Sequence, residues 1–146
     1  MKRLLLAFAS PVLALVGCSP DPHSGALRAS AGTAVDAAAY NQQIKAAGLD
    51  TMCPSGKCDQ PALLIGGQTP TYPASLLAAR LSGHASILFG VDEHGKVVDP
   101  RVESASRPEF AEASIQALRT WQFKPATLQG KPVPMMSRQN FPFQPY

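Results

Sequence analysis

The segment from His84 to Val91 constrains the fold more than any other part of the chain. Ala85, Ile87, Phe89 and Val91 alternate with His84, Ser86, Leu88 and Gly90, the period-two signature of a strand with one buried face. Asp92-Glu93-His94-Gly95 follows, a hairpin turn in which Gly95 supplies a positive φ. The return segment, Lys96 to Ser104, has unevenly phased Val97, Val98 and Val102 and contains Pro100, which has no N–H. Such a strand belongs at a sheet edge or a bulge and not at a sheet centre.

Ser106-Arg107-Pro108-Glu109 has the form of a capping box, in which the Ser hydroxyl and the Glu carboxylate each satisfy an orphan amide at a helix start. Phe110, Ser114, Ala117, Leu118 and Trp121 then recur at helical spacing, while Glu112, Gln116 and Arg119 face water and Pro125 ends the pattern. A final strand is predicted over Val133 to Phe143, with Pro134 and Pro142 in it. Upstream, Pro61 to Ile65 reads as a short strand. Tyr72-Pro73 opens a short helix with Leu77 and Leu81 on one face and Gly83 past its end.

A right-handed crossover through the second helix carries the chain over the first hairpin strand and sets the last strand on its far side. The predicted fold is therefore α+β: a three-stranded antiparallel sheet with two packed helices, the apolar His84 to Val91 strand in the middle. The C-terminal strand is left with an open outer edge.

The N-terminus reads as an export signal over residues 1–17, with Lys2 and Arg3 before an apolar run, Leu4 to Val16, that Pro11 interrupts and that is too short to span a bilayer. Leu15-Val16-Gly17-Cys18 resembles a bacterial lipobox, which implies lipidation of Cys18; the competing reading is an ordinary secretory signal with an incidental Cys18. Two or more acyl chains hold a protein stably on a membrane. Ser19 is not the Asp that retains lipoproteins in the inner membrane, so the expected location is the outer membrane, facing the periplasm.

Residues 18–32 form the lipidated N-terminus and a flexible tether rich in Ser, Pro, Gly and Ala. Residues 33–60 hold an accessory helix, Thr33 to Ala47, with a cap at Thr33, Asp36 three residues on, Gly48 as its stop and a thin stripe of Ala37, Tyr40, Ile44 and Ala47. The compact domain is expected over residues 61–146.

Three cysteines is an odd number for an exported protein, and lipidation of Cys18 leaves Cys53 and Cys58 as a pair. Cys53-Pro-Ser-Gly-Lys-Cys58 has the Pro and Gly of a tight turn, which favours a disulfide. A redox pair and two zinc ligands are the alternatives, but the spacing is neither C-x-x-C nor part of a four-ligand set.

Taken together, these residues resemble the C-terminal domain of TonB. The resemblance runs from Pro61 to Phe143 through Tyr72-Pro73, Gly83, Phe89-Gly-Val-Asp92, Gly95-Lys-Val, Ser104, Ala117-Leu-Arg-Thr-Trp-Gln-Phe-Lys-Pro125, Gly130-Lys-Pro-Val133 and Phe141-Pro-Phe143. It implies a three-stranded antiparallel sheet with packed helices, whose last strand pairs with a short extended segment of a partner, the TonB box of an outer-membrane receptor, by strand addition.

Carried onto this chain, the pairing strand is Met135, Met136, Ser137, Arg138, Gln139, Asn140 and Phe141, with Tyr72 and Pro73 alongside; if the Ser137 N–H serves the guest, Ser137→Pro should weaken docking without unfolding the domain. Full-length TonB begins with an inner-membrane helix and a long Pro-rich spacer, where this sequence has an export signal and a short tether. The resemblance thus implies the fold and peptide docking, not proton-driven coupling.

Other functional classes find little support. Removing Lys2 and Arg3 leaves eleven basic against ten acidic residues, too balanced for nucleic acid as main partner. No nucleophile stands beside a base, and His23, His84 and His94 lack metal-ligand spacing, so no enzyme, metal or cofactor is expected. Trp121 and Phe110 read as core, not as a ligand cage, and Asp92-Glu93 reads as turn chemistry. After Glu112 the chain contains Arg119, Lys124, Lys131 and Arg138 and no acid, a solvated face or a steering field for an acidic peptide or anionic lipid. The expected partners are a protein, such as a TonB-dependent receptor, and the membrane through the lipid anchor; the alternative is a structural envelope lipoprotein without energy transduction, self-associating as a homodimer through the same edge.

Overall fold

The alternating strand forms as β2, Gly83–Val91, and Ala85, Ile87, Phe89 and Val91 are fully buried along it. The structure is a computed structural model that describes residues 32–46, Cys53 and residues 58–146. The export signal, Cys18, the tether up to residue 31, Ala47 and Gly48 lie outside the described residues.

In chain order the elements are α1 (Ala37–Ala46), β1 (Leu63–Gly66), α2 (Ala74–Ala78), β2, β3 (Val97–Ala105), α3 (Pro108–Leu118), β4 (Gln122–Lys124), β5 (Ala126–Leu128), β6 (Lys131–Val133) and β7 (Met135–Phe143). The main sheet has the antiparallel order β3-β2-β7, with β1-β4 and β5-β6 as two-stranded ribbons. The expected topology therefore forms, with β2 central. The expected last strand divides: Lys131–Val133 pairs with β5, Pro134 intervenes, and β7 begins at Met135.

The hairpin turn is fixed by Asp92, whose carboxylate accepts the amides of His94 at 2.9 Å and Lys96 at 2.8 Å. The bond from Lys96, helped by that from His94, holds its carboxyl below the ordinary range. Gly95 has φ 79°, and a Cβ there would lie 1.8 Å from the Phe123 carbonyl oxygen, whose own N–H donates to the Gly95 carbonyl at 2.8 Å. Turn geometry and the docking of β4 both demand glycine.

Two expected caps differ. Ser106 makes no capping box: its hydroxyl accepts the His84 N–H at 2.8 Å and reaches the His84 carbonyl at 3.2 Å, tying β2 to the end of β3. Arg107 is the N-cap of α3 without a side-chain bond, and Pro108 occupies the first turn. The sheet end out-competes the helix start for the hydroxyl. At α1 the cap is Asp36 and not Thr33, its Oδ1 accepting Ala38 and Ala39 N–H, each at 3.1 Å.

The helix after Pro73 also ends early. Arg80 turns left-handed at φ 52°, with Arg80 N–H donating to Leu77 O and Leu81 N–H to Leu76 O, a Schellman closure. Gly83 instead opens β2, where an added Cβ would meet Ser106 Oγ at 2.2 Å and Phe110 Cε2 at 2.4 Å.

Beneath the sheet, α3 buries Phe110, Ala111, Ser114, Ala117 and Leu118. Phe110 stacks on Phe143 with ring centroids 4.3 Å apart, and Trp121 sets its ring edge-on to Phe89 and Phe141. Both aromatics are core residues, not a cage.

The segment before β1 shares this core, with Val35, Tyr40 and Cys53 buried in it. Tyr40 meets Trp121 edge-on at 5.2 Å, and the Asn41 amide exchanges two hydrogen bonds with the Leu64 backbone, at 2.8 and 2.9 Å. Cys53 and Cys58 are joined by a disulfide, their Cα atoms 6.0 Å apart.

Candidate functional site

The two edges of the main sheet differ in regularity. β3 pairs with β2 through two register shifts, has Asp99 at φ 47° and contains Pro100. Bulges and proline blunt an edge against further pairing. β7 runs beside β2 from Met135 opposite Val91 to Phe143 opposite Gly83 with no shift, and among the described residues no strand pairs with its other side.

The direction of each β7 peptide group follows from its partner strand. The even-numbered residues of β2 use their main-chain groups on the β3 side: Ser106 N–H donates to His84 O, His84 N–H to Ser106 Oγ, and the adjoining Asp92 N–H to Lys96 O. Alternation along a strand then turns the odd residues of β2 toward β7. Met135, Ser137, Gln139, Phe141 and Phe143 oppose those odd residues and form the hydrogen-bonded pairs. Met136, Arg138 and Asn140 therefore direct their N–H and C=O outward.

Pro142 lies on the same outward set, where its missing N–H costs the sheet nothing. This geometry corrects one expectation: the Ser137 N–H faces Phe89, so it belongs to the sheet and not to a guest.

Side chains follow the same alternation. Met135, Ser137, Gln139 and Phe141 are buried, while Met136, Arg138 and Asn140 are exposed on the face of the sheet opposite α3. Burial pushes the Tyr40 hydroxyl above its ordinary range, partly offset by the nearby Ser137 hydroxyl. Gln139 Nε2 donates to the Asn140 carbonyl at 2.8 Å, so one of the outward carbonyls is engaged within the molecule.

On the exposed face Arg138 pairs with Glu103 of β3 through two hydrogen bonds, and Ser86 of β2 donates to the same carboxylate at 3.2 Å. The Arg138 guanidinium holds the Glu103 carboxyl below its ordinary range and is itself raised by it.

Tyr72 is buried, edge-on to Phe110 and Phe143, and its hydroxyl donates to the Leu81 carbonyl. It supports the Phe143 end of β7 from below, and half-buried Pro73 caps α2. Glu103 is the participant the sequence did not reveal. It lies 35 residues from Arg138, and only the sheet order brings the two together.

Among the described residues no group of three or more His, Cys, Asp or Glu is placed to hold a metal ion, and no helix is long and apolar enough to cross a membrane. The candidate site is an edge of backbone donors and acceptors, groups of the kind that can hydrogen-bond to another extended chain.

Known proteins share this architecture. Residues 68–145 match the family model described as Gram-negative bacterial TonB protein C-terminal. Protein TonB of Yersinia enterocolitica is 36% identical over 56 residues, covering 38% of this chain and 22% of that protein. Protein TonB of Xanthomonas campestris pv. campestris is 32% identical over 63 residues, covering 42% of this chain and 28% of that one. The chain thus spans about a quarter of the length of these relatives.

The solution NMR structure of the Pseudomonas aeruginosa TonB CTD superposes with a TM-score of 0.52 at 25% identity, covering 59% of this chain and 88% of that one. The family match begins at residue 68, so the packed segment before it lies outside the matched region. The chain belongs to the TonB C-terminal domain family, a family of protein-interaction domains and not of enzymes.

Proposed function

We propose that this protein is a periplasmic binding module on a lipid anchor at Cys18, which docks an extended peptide, such as the TonB box of a TonB-dependent receptor, by adding it as a strand along β7. The outer side of β7, along which no strand of the described residues pairs, is the observation that supports this reading most strongly, because it offers a regular row of main-chain groups beside a blunted second edge. Family membership supports a role related to TonB-dependent transport. The apolar run ending at Gly17-Cys18 supports an outer-membrane anchor facing the periplasm, and residues 19–31 reach about 45 Å at most from it.

A photo-crosslinking residue at Asn140, in intact Gram-negative cells, tests the reading. Capture of an outer-membrane receptor through its N-terminal periplasmic segment is expected. Crosslinks only to a second copy of the chain would replace receptor docking with self-association through the same edge.

A further inference from the structure

Resting on the reading that β7 takes a guest strand, we infer that this edge is a three-rung acceptor, which fixes both the length and the register of its guest. Pro134 and Pro142 flank the usable stretch, and neither has an N–H. Between them only Met136, Arg138 and Asn140 direct amides outward, as the pairing with β2 requires. An antiparallel or parallel guest meets alternate host residues, so the ladder covers the five residues from Met136 to Asn140. The partner chemistry follows: an extended peptide segment of about five residues with main-chain N–H groups free at alternate positions.

The rungs are not equal. The Asn140 carbonyl already accepts Gln139 Nε2, which weakens that end and makes Arg138 the central rung with both groups available. Its long side chain would otherwise lie over the guest's path. The two bonds to Glu103 draw the guanidinium back across β2 toward β3, away from the outer edge. Glu103 is thus a positioning residue for docking although it sits on the far strand.

A heptapeptide selected from a random phage-displayed library on the full chain in detergent micelles supplies the probe. Its binding is read by titration and by amide hydrogen exchange. On binding, the Met136, Arg138 and Asn140 amides should become protected while β3 exchange stays unchanged. Pro142→Ala should add a fourth donor and tighten a nonapeptide extended from the same sequence about 2- to 10-fold, the range of one net hydrogen bond. Glu103→Ala should weaken the heptapeptide by a similar factor, and adding Arg138→Ala should restore it.

Protection along β3, or at none of the β7 amides, contradicts strand addition at this edge itself. Protection on β7 with no gain from Pro142→Ala leaves strand addition standing and overturns the proline limit. A loss in Glu103→Ala that Arg138→Ala does not reverse overturns the positioning role. Protection of the three amides without peptide, rising with protein concentration, assigns the edge to a second copy and overturns the peptide proposal.

Discussion

Arg138 on β7 reaches over the central strand to Glu103 on β3, donating through Nε to one carboxylate oxygen and through Nη2 to the other at 2.7 Å. The pair links the two edges of a three-stranded sheet on its uncovered face, and it removes one positive charge from the basic C-terminal third. Arg119, Lys124 and Lys131 remain exposed and distributed over other elements, which favours a solvated surface over a concentrated steering field.

Acid should release this link. The Glu103 carboxyl sits below its ordinary value in the fold, so its stabilising contribution is complete above the unfolded value near about pH 4 and is lost as pH falls through the lower folded value. Asp92 behaves in the same sense. Thermal melts from pH 7 to pH 2 should show a fall in midpoint beginning near about pH 4 that is smaller in Glu103→Gln. An identical acid profile in the variant contradicts the assignment.

Gly95 and Gly130 both have positive φ, 79° and 73°, but only Gly95 has backbone where a Cβ would go. Gly130→Ala should cost about 1 kcal/mol, the conformational penalty alone. Gly95→Ala must also move β4 and should cost about 3 kcal/mol or more. Urea unfolding of the two variants measures the difference, and equal losses would contradict the close approach of Phe123.

Asn41 acts as a strand partner for Leu64 in side-chain form. Asn41→Ala leaves that N–H and C=O half-buried and unpaired, a loss of about 1–3 kcal/mol. Because Tyr40 beside it packs on Trp121, the loss should appear in the unfolding of the whole domain. A separate, earlier transition confined to residues 32–46 would show instead that this segment folds on its own account.

The Cys53–Cys58 disulfide closes a loop of five residues' separation, and short loops stabilise modestly, by about 2 kcal/mol. Melting with and without a thiol reductant should differ by several degrees and leave a folded domain. Complete unfolding on reduction would mean that the buried Cys53 position depends on the bond far more than its loop length allows.

Much of this structure was legible before any coordinates. The alternation in Ala85, Ile87, Phe89 and Val91 encoded a central strand because burial on one side is a local, periodic demand. Pro100 and the uneven valines encoded an irregular edge because the missing N–H is a property of the residue itself. What remained hidden depends on register or competition. Ser106 had two possible uses for its hydroxyl, and only the meeting of β3 with His84 decided between them. Glu103 and Arg138 are charges without a pattern until sheet order joins them. The inward direction of the Ser137 amide is a matter of odd against even residues, which the sequence of β7 alone does not contain.

Amide hydrogen exchange along β7 of the partner-free protein tests the central claim most directly. Slow exchange is expected at Met135, Ser137, Gln139, Phe141 and Phe143, and exchange faster by about a hundredfold or more at Met136, Arg138 and Asn140. Uniform protection of all these amides in the dilute monomer would contradict it, since it would mean that the outer row is already paired.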